Sequence, residues 1–310
     1  MSAEGITYIE RRTGQHSQEE VMASGALNFF YGNGLVSRII GTPVRHLICR
    51  CALFSRIVGW YQEQTFTKHH IEPFVKRFDV DVSEFEKTVE QFTSFSDFFI
   101  RKLKPSVRPI ARGEGVAVIP ADGRYYFFQD VSQVGAFDIK GQTFDLTKLL
   151  ESPELAQRYA KGSMVLARLC PSDYHRFHFP VTCTPSESRL INGCLYSVNP
   201  IAIKQSIRIF WQNKRSLSTL QSTVFGDVLV LEVGATTVGN IVQTYEAGKR
   251  QQKGEEKGYF NFGGSALVLL FPEGSIEFDE DLIAATKQRM EIRCLMGQSM
   301  GRLVSNGHES

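Results

Sequence analysis

The stretch GYFNFGGSALVLLF, Gly258–Phe271, sets the hydroxyl of Ser265 directly behind two glycines and ahead of an unbroken apolar run. A serine so placed can attack the carbonyl of its own preceding peptide bond. Glycine at 264 lowers the resistance to the tetrahedral intermediate and to a strained backbone. The amide becomes an ester, a base removes the serine Cα proton, and elimination breaks the chain. The resulting dehydroalanine hydrolyses to a pyruvoyl group at the new N-terminus. This chemistry needs a base near the hydroxyl, such as an imidazole held by a carboxylate, and a rigid strand to fix the product. Two other stretches supply those residue types. CPSDYHRFHFP, Cys170–Pro180, carries His175 and His178, and IPADGRYYF, Ile119–Phe127, carries Asp122.

Each of these has a plainer reading. Asp122-Gly123 is the dipeptide expected of a turn. The two histidines would share one face of a helix, but Pro171 and Pro180 flank them and the following residues are β-like. A turn entering a strand therefore suits them better, with structural imidazoles beside aromatics as the simple alternative. No Cys or acidic cluster completes a metal site around them, so no metal is expected. In the order Asp122, His178, Ser265 the chain also offers a hydrolase triad, whose members are recognised by geometry and not by order. The G-x-S-x-G elbow of an α/β hydrolase is absent, because Leu267 stands second after the serine. A third possibility is a non-catalytic β-domain on a membrane surface.

The elements that would position these residues divide the chain in two. Between Glu20 and Glu63 there is no acidic residue, while Arg38, Arg45, Arg50 and Arg56 are interleaved with Leu35, Ile39, Leu47, Ile57, Trp60 and Tyr61. That pattern suits a helix in a membrane interface or an ordinary helical subdomain with solvated arginines. Val82–Phe92 has helical periodicity, and Ser96 can cap a short helix ending before Pro105. Beyond it, short β-type runs punctuated by Gly, Pro and Asn predict a mainly antiparallel β core, with one helical insert near 145–160. KRQQKGEEKG, Lys249–Gly258, is expected to be a solvated hairpin loop. The fold class is thus α+β: a helical N-terminal region, 1–94, packed on a β-rich catalytic domain, 95–310.

Composition excludes several classes. The 310 residues carry 35 basic and 33 acidic side chains, a net charge of +2, which is unlike a nucleic-acid binder. The six cysteines form no C-x-x-C pair and suit buried thiols in a reducing compartment. The first residues lack the apolar core of a secretory signal, and no apolar run is long enough for a membrane span.

FSDFFIRKLKPSVRPI (Phe95–Ile110), PADG (Pro120–Gly123), DYHRFHFP (Asp173–Pro180), VGATTVGNI (Val233–Ile241), KGEEKGYFNFGGS (Lys253–Ser265) and MGQSMG (Met296–Gly301) occur in family order. On these motifs the sequence resembles the phosphatidylserine decarboxylases, in particular bacterial members. The resemblance implies cleavage between Gly264 and Ser265 into a β chain (1–264) and an α chain (265–310). It implies that His178 is the base of self-cleavage, that Asp122 orients it, and that His175 serves decarboxylation. Ser265 would become the covalent pyruvoyl cofactor and the Schiff-base site for the amine of phosphatidylserine, an electron sink like pyridoxal phosphate. The product would be phosphatidylethanolamine. The resemblance also implies a peripheral protein of the cytoplasmic face of the cell membrane, docked through Leu35–Tyr61, and a homodimer of cleaved protomers. One residue departs from the common Leu-Gly-Ser-Thr pattern in a way that bears on cleavage rate: Ala266 stands where threonine is usual.

Overall fold

A computed structural model describes residues 6–20, 24–31, 37–42, 44–45, 49, 52–132, 144–236 and 241–304. Residues 237–240 of VGATTVGNI, and much of the basic segment including Leu35, Leu47 and Arg50, lie outside them.

The apolar run after Ser265 is a strand, Ser265–Phe271, with every residue buried. It is apolar on both sides because it is central. Ser163–Leu169 pairs with it on one side and Gly226–Val233 on the other, both antiparallel. Outward from Ser163–Leu169 the sheet continues through Gly123–Phe128, Glu291–Cys294 and the hairpin Ile6–Glu10/Gln15–Glu19. Outward from Gly226–Val233 lie Arg215–Ser222 and the short strands Thr184–Pro185 and Arg189–Ile191. The pairing is antiparallel throughout, except that Ile6–Glu10 runs parallel to Glu291–Cys294. This is the mainly antiparallel core the sequence predicts.

Alternate residues of the central strands feed two cores, as the twofold strand period requires. One face, with Tyr125, Phe127, Leu169, Leu267 and Leu269, is covered by two three-stranded sheets and the helix Glu280–Lys287. The opposite face, with Leu166, Ala266, Val268 and Leu270, is covered by helical segments that carry Leu149, Tyr159, Ala202, Phe210 and Tyr31. A third cluster, rich in phenylalanine, joins the helices Ile71–Phe78 and Phe95–Phe99.

The structure corrects several local expectations. Residues 6–19, placed in the helical region, form a hairpin turned at Gly14 (φ +69°). Glu19 at its end is drawn into the fold by Arg124 (3.0 Å) and Arg168 (2.8 Å). Val82–Phe92 is two 3-10 turns, not a helix, because Phe85 bridges to Leu103 between them. The helix cap is Ser94, not Ser96, and accepts the Asp97 N–H at 3.1 Å. The insert near 145–160 is two helices, Leu146–Leu150 and Pro153–Arg158, separated by Glu151 in the left-handed region and by the Ser152 cap.

The charged stretch Lys249–Gly258 is not wholly a solvated loop. Lys257 is fully buried, 2.6 Å from the equally buried Glu232, with Gln243 bonded to both. Burial lowers the Lys257 pKa, and Glu232 opposes that shift. Removing one partner leaves an uncompensated buried charge, so Lys257→Met is expected to lose about 3–5 kcal/mol in denaturant unfolding. The double variant Lys257→Met/Glu232→Leu should recover most of it.

Candidate active site

Ser265 opens its strand opposite Leu169, on the face lined by Leu267 and Phe260. Its exposure is 0%, and its Oγ has no hydrogen-bond partner among the described residues. Buried hydroxyls are seldom left unpaired, and each exception asks for a reason. The backbone just upstream is unusual too. Gly263 has φ +132°, a conformation that residues with a side chain rarely adopt. Ala266 feeds the opposite core, so a threonine hydroxyl there would sit across the sheet from the Ser265 side chain.

His175 is also fully buried. The turn Cys170–Asp173 delivers it: Asp173 N–H donates to the Cys170 carbonyl and Cys170 N–H to Asp173 Oδ2, both at 2.8 Å. His175 Nδ1 lies 3.0 Å from the Asp173 carbonyl, which can only accept, so Nδ1 carries the proton and Nε2 the lone pair. That Nε2 is buried and has no hydrogen-bond partner among the described residues. The Gly263 carbonyl is close enough to favour the charged ring. The Phe260 N–H donates to the His175 carbonyl at 3.0 Å, tying the histidine to the chain entering the Gly-Gly-Ser turn.

Burial pushes His175 down to about 4 from 6.5, against the raising effect of Asp173. The ring is therefore neutral at neutral pH and able to take a proton. An unfolded chain binds that proton near pH 6.5 and the folded one only near 4. Stability from His175 is thus intact above about pH 6.5 and falls by about 3 kcal/mol as the pH drops to about 4. Unfolding titrations across this range are expected to show a shallower acid loss for His175→Gln.

Asp122 and His178 meet differently from the sequence expectation. Asp122 is gripped by Arg108, whose Nε lies 3.0 Å from Oδ1 and whose Nη2 lies 2.6 Å from Oδ2, and it accepts the Met296 N–H at 2.8 Å. Arg108 is shared with Glu84 at 2.8 Å. His178 lies on the short strand Arg176–His178, with its N–H on the Pro120 carbonyl at 2.8 Å. Its Nδ1 donates to the Gly254 carbonyl (3.0 Å) and its Nε2 faces the Tyr174 hydroxyl (3.2 Å). Burial lowers its pKa as well. The aspartate and His178 thus share a wall, with their hydrogen bonds directed elsewhere. Gly123 makes that wall possible, since a Cβ there would meet the Arg168 carbonyl at 2.7 Å.

Two groups escaped the sequence reading. Asp173 receives Arg124 at 2.8 Å. Burial would raise its carboxyl, but Arg124, then Arg293 and the Cys170 N–H, outweigh it and hold it low. Phe99, fully buried, packs on the His175 ring at 4.1 Å between centroids. Both lie inside motifs quoted above, but their roles depend on where a turn and a helix dock. Among the described residues no group of His, Cys, Asp and Glu could hold a metal ion.

The family model described as phosphatidylserine decarboxylase matches residues 95–302, which include Phe99, Asp122, Asp173, both histidines and Ser265. The chain belongs to the phosphatidylserine decarboxylase family. Relatives described as phosphatidylserine decarboxylase proenzyme agree along nearly the whole length. The protein of Chlamydia caviae is 46% identical over 297 residues, covering 96% of this chain and 98% of its own. That of Chlamydia trachomatis serovar L2 is 43% identical over 306 residues, covering 99% and 100%. The phosphatidylserine decarboxylase family model begins at Phe95, but these relatives also cover most or all of the N-terminal hairpin and helices.

Proposed function

We propose that this protein converts phosphatidylserine to phosphatidylethanolamine and CO2 after cutting itself between Gly264 and Ser265. The observation that carries the reading is the Ser265 hydroxyl, buried behind a diglycine and without a partner among the described residues, with the likewise unpartnered Nε2 of His175 on a ring beside the Gly263 carbonyl. A hydrolase triad would hydrogen-bond its nucleophile to a histidine, whereas Ser265 Oγ has no partner among the described residues and the G-x-S-x-G elbow is absent.

The residues fit a pyruvoyl group derived from Ser265. In self-cleavage, Ser265 Oγ bonds to the Gly264 carbonyl carbon, the C–N bond breaks, and the serine nitrogen leaves as an amine. Removal of the Cα proton then expels the Gly264 carboxylate, and one water replaces the nitrogen as ammonia. His175 Nε2 is the acceptor the geometry offers for these protons. Asp173 and Phe99 hold its ring, while Asp122 and His178 brace the adjoining wall. A pyruvoyl group at position 265 would supply a carbonyl able to condense with the substrate amine and to take up the electrons left by CO2. At that stage His175 returns a proton to the substrate carbon. The neighbouring strands shield the new terminus from water.

A lipid substrate gives the N-terminal segment a purpose. Seven of the ten exposed large hydrophobics among the described residues, Phe29, Ile40, Val44, Ile57, Trp60, Tyr61 and Phe66, fall between positions 29 and 66. No described helix is long and apolar enough to cross a membrane. The helix Ala52–Glu63 packs on Phe95–Phe99, which holds Phe99 against His175. Docking of this face on an anionic bilayer would bring the head group to the site while the acyl chains stay in lipid. Purified protein given phosphatidylserine vesicles should form phosphatidylethanolamine; no product from cleaved protein would contradict the reading. Ile57→Glu/Trp60→Glu is expected to weaken vesicle binding while self-cleavage proceeds.

A further inference from the structure

Phe262 is the last side chain before the Gly264–Ser265 bond, since Gly263 and Gly264 have none. Residues 261–264 belong to no strand. The half-buried Phe262 ring packs edge-on against Phe95 (5.4 Å between centroids, 71°) and Phe99 (5.0 Å, 66°). Phe99 also packs on His175 at 4.1 Å and 46°. One buried ring therefore touches both the imidazole and the segment that carries the carbonyl under attack. The glycines add little hold of their own: a Cβ on Gly264 would find only Val198, at 3.6 Å.

Building on the reading of Ser265 given above, we propose that Phe99 and Phe262 are positioning residues for self-cleavage. Phe99 fixes the ring plane of His175. Through Phe262 it also fixes where the Gly264 carbonyl lies relative to the Ser265 hydroxyl. Once the bond is cut, the same contacts retain the new C-terminal tail, 261–264, over the site. Two edge-on aromatic contacts bias this short segment toward the observed conformation by roughly tenfold to a hundredfold. A flexible diglycine end would otherwise sample many others.

The test follows cleavage of the full-length chain on denaturing gels, with and without neutral hydroxylamine, which cuts an ester at Ser265 and gives fragments distinct in size from any cut at the Asn-Gly pairs 33–34, 192–193 and 306–307. Phe262→Ala is expected to slow cleavage by about tenfold or more, with no rescue by hydroxylamine, because the carbonyl is misplaced before the ester forms. Phe262→Tyr keeps the ring edge and should restore the rate. Phe99→Leu is expected to slow cleavage as well, because it both removes one of the two ring contacts on Phe262 and loosens the His175 ring. Thermal melting of the Phe262 variants should stay within a few degrees of the parent. Wild-type cleavage rates in both Phe262→Ala and Phe99→Leu would overturn the proposal. So would a slow Phe262→Ala that Phe262→Tyr does not restore, or that simply follows a fall in melting temperature. If the parent chain itself stays whole, the reading of Ser265 has failed and takes this proposal with it. If the parent cuts and the variants cut alongside it, only the positioning roles are wrong.

Discussion

Ser265→Ala is expected to leave one 310-residue chain, with no label from a carbonyl reagent and no decarboxylation of phosphatidylserine. The substitution removes the attacking atom and the only source of the pyruvoyl group at this position. It should not harm the fold. The hydroxyl is fully buried and makes no hydrogen bond among the described residues, so deleting it relieves a desolvated polar group. Precursor stability should be unchanged or higher, by about 1 kcal/mol or more, in denaturant unfolding. A variant that is inert but at least as stable separates a residue kept for chemistry from one kept for structure. Lower stability of the variant would mean that Oγ has a structural partner after all.

The second large effect concerns the two histidines. Family resemblance assigns cleavage to His178 and decarboxylation to His175, whereas the hydrogen-bond pattern favours His175 for both. His178 spends both ring nitrogens on Gly254 and Tyr174, and His175 keeps Nε2 free beside the Gly263 carbonyl. His175→Ala is therefore expected to slow chain cleavage by about 10²–10⁴-fold, the usual contribution of a positioned base. His178→Gln, whose amide can still donate to the Gly254 carbonyl, should slow it far less. Rapid cleavage in His175→Ala with a blocked His178→Gln would return the base role to His178.

Much of this was legible in the residues. The apolar run 266–271 announced a buried strand, and the spacing of Gly, Pro and Asn announced an antiparallel body. Five of the six motifs hold residues of the site, among them Phe99, Asp122, His175, Ser265 and Met296. What stayed hidden depends on three-dimensional docking. Lys257 reads as one more charge in a polar loop until Glu232 arrives from a strand 25 residues earlier. The hairpin 6–19 reads as the start of a helical region because its polar strands gain stability only by pairing with Glu291–Cys294 and by seating Glu19 on two arginines. Val82–Phe92 has a helical period, yet its phenylalanines are spent on a cluster shared with Phe95 and Phe98. Asp122 could be picked out by type, but not its partner: Arg108 occupies the carboxylate that sequence order would offer to His178.

The central claim is that Gly264–Ser265 is cut by the chain itself and that Ser265 becomes a carbonyl. Intact-mass measurement of the purified, denatured protein tests it most directly. The account predicts two species, residues 1–264 ending in an ordinary carboxylate and residues 265–310. The second should be lighter than a serine-started chain by one ammonia and should be shifted by a carbonyl reagent. A single species with the mass of the uncut 310-residue chain, unreactive toward that reagent, would contradict it.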